Sequence, residues 1–397
     1  MHTSTASAEA VQGSPWLPIW AGLCASLVGI GLARFAYTPL LPVLIEARWF
    51  SASAVVYLGA ANLAGYLLGA LGGRALAARW GNAAVLRTMM LLVALSFAAC
   101  ATPISLAWFF GWRLLSGIAG GVIMVLAASA VLPRVPPSRR GLASGAIFLG
   151  AGLGVAGSGT LLPVLLDQGL PATWLGLGAI ALLLTASSWS GWPADPSHVQ
   201  SNVAAAGRSS AIHRLFAQYA LMAVGLVAPM MFLVDYISRG LGAGAHSGAV
   251  IWAFYGLGAI IGPVAYGFLA DRLGASPAIR ITLLAQIGAL ALLGGTDDLR
   301  ILGTVAVLIG SFPPGIVPLA LARVHQLVPE QAAQHATWSR ATVSFATFQA
   351  LAGYAYSALF SSSGGHYQLL FCVAAGALTL ALMLELPRWW RRSETTS

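Results

Sequence analysis

Apolar and polar positions follow one another in long blocks along the chain. Apolar runs recur from near the amino end to near the carboxyl end, and short polar breaks separate them. Most runs reach about twenty residues, the length that a helix needs to cross the hydrocarbon core of a membrane. The pattern predicts twelve membrane helices, at 17–45, 52–73, 84–101, 104–132, 141–166, 171–190, 214–237, 247–269, 278–294, 299–322, 334–360 and 367–386.

One polar break is much longer than the others. It covers residues 191–213 and is rich in Pro, Ser, Gly and Asn, a composition typical of flexible linkers. The break divides the predicted helices six and six. We therefore expect an all-α integral membrane fold of twelve transmembrane helices arranged as two six-helix bundles, 1–190 and 214–397, the second ending in a short tail.

Composition supports the membrane assignment and narrows the partners. Only 8% of the 397 residues are charged and 58% are apolar, whereas a soluble domain carries about 25% charged residues. The net charge of +9 could indicate nucleic-acid binding, but all 20 basic residues are arginines placed singly or in pairs between apolar runs. We expect membrane lipid and a small-molecule substrate as partners, no nucleic acid, and a monomer.

The arginines are distributed unequally between the two predicted sides. Cytoplasmic loops of membrane proteins carry an excess of basic residues, so this asymmetry predicts that both termini lie in the cytoplasm. We expect the protein in the inner, cytoplasmic membrane of a bacterium. One side holds Arg74, Arg79, Arg87, Arg134, Arg139, Arg140, Arg208, Arg214, Arg272, Arg280, Arg323, Arg388, Arg391 and Arg392, and the other holds Arg48, Arg239 and Arg300.

A specific motif, GFLADRLG, runs from Gly267 to Gly274 between predicted helices 8 and 9. It resembles the signature loop of the major facilitator superfamily, G-x-L-A-D-R-x-G, which recurs after helices 2 and 8. The resemblance implies a transporter built from two six-helix halves. It also implies that Asp271, followed by Arg272, acts as a conformational latch whose charge meets the positive end of a helix in the opposite half.

The corresponding stretch of the first half departs from this motif. It reads GRALAARWG from Gly73 to Gly81, and Arg79 and Gly81 match the signature. The aspartate position is Ala78, and the first glycine falls one residue early. A latch that depends on a carboxylate charge is therefore not expected in this copy.

Predicted helices 4 and 5 carry further features of that superfamily. Arg113 opens an R-x-x-x-G-x-x-x-G pattern through Gly117 and Gly121, which resembles the pattern of helix 4 in the family. Burial of this arginine is costly, so Arg113 is a functional candidate unless it extends to the membrane interface. Helix 5 is rich in glycine but lacks the Gly-Pro pair of drug/proton antiporters, so the sequence does not indicate drug export.

The first predicted helix contains an unusual polar stretch, GLARFAYTPLLP, from Gly31 to Pro42. The two prolines interrupt the backbone ladder just beyond Arg34, and interrupted helices often line transporter sites. Arg34 and Tyr37 could hold and stack an anionic group. Together with Tyr66 in helix 2, the stretch resembles the YbfB/YjiJ group of the superfamily.

Three arginines are expected at depth in the membrane, and no acidic residue is expected at comparable depth. Since unpaired buried cations are costly, either an anion binds them or they reach water, and our hypothesis is an anionic solute such as a carboxylate in a central cavity between the two halves. The candidate binding residues are Arg34, Tyr37, Asn62, Tyr66, Arg113, Arg340 and Gln349.

Alternatives to an anion transporter stay open. Proton antiport with export of drug-like or metabolite compounds would need a titratable group, for which Asp235 and Glu46 are the candidates, both near helix ends. A membrane sensor or accessory subunit would share the fold without net flux. An enzyme is not expected, since no HExxH or GxSxG motif is present, and neither a metal nor a cofactor is expected.

Overall fold

The computed structural model describes residues 16–136, 139–193 and 209–385, and every regular element in these ranges is a helix. We number the long helices in chain order. They are α1 (Trp16–Glu46), α2 (Ala52–Trp80), α3 (Asn82–Cys100), α4 (Leu106–Arg134), α5 (Arg140–Leu166), α6 (Leu170–Ser187), α7 (Ser210–Gly240), α8 (Gly244–Leu273), α9 (Ala275–Gly295), α10 (Leu299–Leu327), α11 (Gln331–Ser362) and α12 (Tyr367–Met383).

The all-helical membrane class is confirmed. Within the described ranges, ten helices are long and apolar enough to cross a membrane, namely α1 to α10. The helix α12 is apolar but shorter, and α11 spans 32 residues with a more polar composition. The arrangement of twelve spans as two six-helix bundles stays a prediction.

The first helix is irregular in the stretch around Arg34. It is α-helical over Trp16–Ser26, forms a π-helix over Leu27–Phe35, and is α-helical again over Tyr37–Glu46. The break between the last two segments falls at Ala36, two residues beyond Arg34, whereas Pro42 lies inside a regular α-helical segment. Proline lacks a backbone N–H, so Pro39 leaves a carbonyl without a partner in the preceding turn, and the irregular backbone lies on that side.

The two motif stretches are helical, so the predicted loops are much shorter than expected. Helix α2 continues to Trp80 and α8 to Leu273, and one glycine each, Gly81 and Gly274, makes the turn to the next helix. These glycines have φ of 81° and 84°, in the left-handed region where a side chain would be strained. Ala, Leu and Arg are good helix formers, which explains why the rest of each motif extends its helix.

Glycines bring α2 against α4 and α8 against α10. A Cβ on Gly65 would overlap the carbonyl oxygen of Leu114, and one on Gly258 would overlap that of Val307. A Cβ on Gly117 would likewise meet the Asn62 carbonyl. The same backbone approaches therefore occur twice in the chain, at a constant separation of 193 residues: Gly65 and Gly258, Gly69 and Gly262, Gly117 and Gly310.

The helices before and after residues 191–213 meet toward one end of the molecule. We call it the arginine-poor end because it carries Arg48, Arg239 and Arg300; the opposite end is the arginine-rich end. Here Ser53 of α2 shares a 2.7 Å hydrogen bond with Ser361 of α11. The remaining contacts are Thr38 Oγ1 donating to the Met230 carbonyl, Ser357 Oγ donating to the Val56 carbonyl, and Trp252 Nε1 donating to Ser158 Oγ.

The long polar break is only partly described. Helix α6 ends at Ser187, a short 3₁₀ turn covers Trp189–Gly191, and α7 begins at Ser210, where the Ser209 hydroxyl accepts from the backbone N–H of Ile212. The middle of the predicted linker, 194–208, lies outside the described residues. The predicted tail beyond residue 385 does so as well.

Candidate functional site

Arg34 lies where four helices meet. It projects from the π-helical segment of α1, and its guanidinium carbon lies 5.0 Å from the ring centre of Tyr66 on α2 and 5.3 Å from that of Phe35. One Nη donates to the sulfur of Met230 on α7 at 3.4 Å. Tyr255 of α8 lies within electrostatic range. The Arg34 side chain is only partly buried at this junction.

The charge of Arg34 is not balanced by a carboxylate. The ion pairs within the described ranges join Arg239 to Asp235 and Arg323 to Glu385, and neither involves Arg34. The Nε of Arg34 and the hydroxyl of Tyr255 are buried and have no hydrogen-bond partner among the described residues. An unpaired cation and an unpaired hydroxyl at one junction form an arrangement that an anion can complete.

A second set of aromatic residues faces this junction from α7 and α11. Tyr219 of α7 lies within electrostatic range of Tyr66. Its ring centre is 4.6 Å from that of Phe345 and 6.1 Å from that of Trp338. Tyr66, Trp338 and Phe345 are each partly exposed, whereas Tyr219 is buried. The site therefore has a cationic centre with aromatic side chains on both halves of the chain.

Three predicted site residues, Arg113, Asn62 and Tyr37, form a separate buried network. Arg113 is 2% exposed, its Nη1 donates to the Ala33 carbonyl at 2.9 Å, and its guanidinium lies 4.3 Å from the Tyr37 ring centre. The Asn62 amide donates to the same carbonyl and to that of Arg113. The Tyr37 hydroxyl donates to the Val55 carbonyl. This network ties α1, α2 and α4 together on the other side of the backbone from Arg34.

Arg340 is not at the junction. Its side chain is exposed rather than packed between helices, and its expected part in binding stays a prediction. It lies on the face of α11 that also carries Phe348 and Leu351, which are 44% and 59% exposed. The residue is nine positions after Gln331, so it lies near the arginine-rich end, and its long side chain can extend toward water.

Gln349 occupies a different place on α11. It is 3% exposed, and its side-chain oxygen has no hydrogen-bond partner among the described residues. One turn later, Gly353 packs against Ala60 and Leu63 of α2. Gln349 therefore lies close to the interface between α11 and α2, and the structure gives no direct contact between it and Arg34.

The two acidic candidates for proton coupling lie at the arginine-poor end. Asp235 is fully buried near the end of α7. It accepts hydrogen bonds from Arg239 Nε at 2.5 Å, Arg239 Nη2 at 2.7 Å and the Tyr367 hydroxyl at 2.6 Å. Glu46 is exposed at the end of α1 and within electrostatic range of Arg239. The Asp235 carboxylate thus already has a cationic partner.

The motif residues at the arginine-rich end are exposed. Asp271 lies on the surface and has no side-chain hydrogen bond or ion pair within the described ranges, and the Arg272 guanidinium lies 4.7 Å from the ring centre of Phe268 in its own helix. Gly267 has open space around its Cα. In the first half, Arg79 is exposed over the Trp80 ring. The structure thus shows neither motif engaged with the opposite half.

The sequence did not single out Met230 and Tyr219 as site residues. Both lie on α7, which reads as a continuous apolar run, and no charge marks the face that meets α1. Pro229, one residue before Met230 and inside that helix, is the signal that could have drawn attention to this face. The described ranges contain no group of three His, Cys, Asp or Glu residues arranged to hold a metal ion.

Comparisons with known proteins agree with this architecture. A sequence profile described as the uncharacterised MFS-type transporter YbfB matches residues 26–386, where MFS denotes the major facilitator superfamily. No curated protein is similar to the chain in sequence.

Two solved transporter structures share the fold across almost the whole chain. A mutant of the nucleoside transporter NupG has a TM-score of 0.74 and 13% sequence identity, over 94% of this chain and 99% of that one. A D-xylose–proton symporter has a TM-score of 0.73 and 14% identity, over 94% of this chain and 96% of that one. Identities this low establish the fold and not the cargo. The chain is therefore a multi-pass membrane transporter rather than an enzyme, and it belongs to the YbfB family of the major facilitator superfamily.

Proposed function

We propose that this protein is a secondary transporter that moves a small anionic solute across the bacterial cytoplasmic membrane by alternating access, with Arg34 as the residue that binds the anion. The observation that carries the proposal is the partly exposed Arg34 at the junction of α1, α2, α7 and α8, which forms no ion pair within the described ranges. A charge of this kind is costly in a membrane protein unless an anion visits it.

The proposed architecture has two six-helix halves, 1–190 and 214–397, joined by the 191–213 linker. The repeated glycine contacts at a constant separation support this division, because they place α2 and α4 in the same relation as α8 and α10. The excess of arginines at one end supports a cytoplasmic position for that end and for both termini. In this orientation the structure is closed toward the outside, where Ser53 meets Ser361.

In this mechanism, Arg34 binds the solute while the arginine-poor end is closed. The opposite conformation would separate Ser53 from Ser361 and close the arginine-rich end, where Asp271 could engage the other half. We propose that the Asp235–Arg239 pair, held by Tyr367, supports the closed end. A proton-carrying role is less well supported, because the Asp235 carboxylate is already paired.

Flux measurements test the proposal. Purified protein is reconstituted into liposomes, and uptake of radiolabelled carboxylates is compared with uptake of neutral and cationic solutes of similar size. We expect at least one carboxylate to accumulate, and we expect Arg34→Gln to reduce this uptake by more than tenfold. Arg340→Gln is the matched control, since this exposed arginine is expected to leave uptake unchanged.

Two results would contradict the proposal. Transport restricted to neutral or cationic solutes would show that the solute is not an anion. Carboxylate uptake that survives Arg34→Gln would show that Arg34 does not bind the anion. Binding of a carboxylate without any accumulation would favour a sensor with the same fold.

A further inference from the structure

The guanidinium of Arg34 is surrounded by aromatic side chains to an unusual degree. Phe35 and Tyr66 lie against it from the first half. Phe35 leads to a stacked pair, Trp252 and Tyr255, whose ring centres are 4.4 Å apart at an angle of 17°. Polar uncharged side chains would suffice to orient a small anion such as acetate, so the aromatic surroundings call for an explanation of their own.

Some of these rings serve as packing and others present free surface. Phe35, Trp252 and Tyr255 are buried, so they support the junction from behind. Tyr66 on α2 and Trp338 and Phe345 on α11 remain partly exposed, although they lie beside buried neighbours. Tyr219, which is in contact with both α11 rings, lies within electrostatic range of Tyr66 and so connects the two groups.

A cation beside a partly exposed aromatic ring, with further partly exposed rings on a second helix, matches one class of ligand. A carboxylate pairs with a guanidinium through two parallel N–H···O bonds. A planar ring attached to that carboxylate can pack against the faces or edges of neighbouring aromatic rings, and each such contact contributes about 0.5–1.5 kcal/mol beyond the area that it buries. A saturated ring of the same size and charge gains the area but not the aromatic contacts.

We infer that the Arg34 site binds an aromatic carboxylate, with the carboxylate on Arg34 and the ring between Tyr66 of α2 and Trp338 of α11. This inference rests on the proposed anion transport and names the class of its substrate. The two halves then each contribute an aromatic wall, so the substrate ring is in contact with both halves at once.

Matched probes test the inference on the full-length protein in detergent. Binding of benzoate is compared with that of cyclohexanecarboxylate, which has the same charge and a similar size but no aromatic ring; benzylammonium and benzamide test the need for the negative charge. We expect benzoate to bind about tenfold more tightly than cyclohexanecarboxylate, and we expect no binding of benzylammonium or benzamide.

Two variants test whether Trp338 causes the preference for benzoate over cyclohexanecarboxylate. Trp338→Leu is expected to reduce the preference for benzoate to about twofold or less while both acids still bind. Phe348→Leu is the control, because this aromatic residue lies exposed on the outward face of the same helix; it is expected to keep the tenfold preference.

The outcomes separate this inference from the proposed function. Equal affinity for the two acids, with both lost in Arg34→Gln, would overturn the aromatic class and leave the anion site standing. A preference that Trp338→Leu does not change would also overturn it. Binding of benzylammonium or benzamide in place of both acids would overturn the anion site and the inference together.

Discussion

Replacement of Arg34 by methionine gives the sharpest test of how this site is built. Methionine keeps an unbranched apolar stem but is shorter than arginine, and it removes the charge. A fully buried cation without a partner destabilises the folded protein by several kcal/mol. Because Arg34 is partly exposed, we assign its charge a smaller destabilisation of about 2–3 kcal/mol. The two cation–π contacts that are lost contribute about 0.5–1 kcal/mol each. The empty protein should therefore become more stable by roughly 1 kcal/mol.

Thermal unfolding followed by intrinsic fluorescence measures this effect, because none of the 13 tryptophans is altered. An increase of about 1 kcal/mol in the free energy of unfolding should raise the midpoint of thermal unfolding by about 1–3 °C. An anion present at about 100 times its Kd should stabilise the unsubstituted protein by about 2.7 kcal/mol, and it should leave Arg34→Met unchanged. The substitution therefore raises stability without ligand and removes the response to ligand.

The two arms of the experiment can fail separately. A lower midpoint for the empty Arg34→Met protein would show that the arginine stabilises the fold, and the reasoning from an unpaired charge would be wrong. A ligand response that persists in Arg34→Met would place the anion elsewhere. Arg340→Met is the control, and neither midpoint should move in it by more than about 1 °C.

Three further predictions concern packing and closure. Gly117→Ala should destabilise the protein by about 3 kcal/mol or more, because the new Cβ meets a backbone oxygen. The control, Gly111→Ala in the same helix, has open space and should stabilise the protein by up to about 1 kcal/mol. Thermal unfolding measures both variants, and equal effects would contradict the argument. Asn62→Ala should cost about 1–3 kcal/mol with KM unchanged within about twofold in uptake assays; a large rise in KM without loss of stability would return Asn62 to the binding site. Oxidation of a Ser53→Cys, Ser361→Cys double variant should form a disulfide, since the two Oγ atoms are 2.7 Å apart. The disulfide should stop uptake until a reductant is added. Full uptake activity of the cross-linked protein would show that the arginine-poor end need not open.

The fold class followed directly from the apolar pattern, since runs of membrane length leave a chain few alternatives. The boundaries were less accurate where two helices are joined by one residue. Helices α2 and α8 extend through their motifs to Trp80 and Leu273 because only Gly81 and Gly274 interrupt them. Hydropathy falls at Arg74 and at Asp271, before the helices end at Trp80 and Leu273, so it places both boundaries too early.

The site was predicted in part. Arg34 and Tyr66 do lie together, and their proximity follows from the packing of α1 against α2. Arg113 and Arg340 show why the position of a residue along a helix does not predict whether its side chain joins the site. Arg113 is buried against α1, whereas Arg340 is exposed on the outer face of α11, and the sequence gives position along each helix but not the neighbour that each face meets.

The constant separation between the glycine contacts also shows how a duplicated scaffold can hold unlike chemistry. Gly117 packs against the backbone of Asn62, and Gly310 packs in the same way against the backbone of Tyr255. In the first copy the side chain at this position binds its own half, through the carbonyls of Ala33 and Arg113. In the second copy the Tyr255 hydroxyl has no partner in the part of the chain that the structure describes, and it lies near Arg34. One copy thus uses this position to tie helices together, while we propose that its counterpart keeps a donor available for the solute.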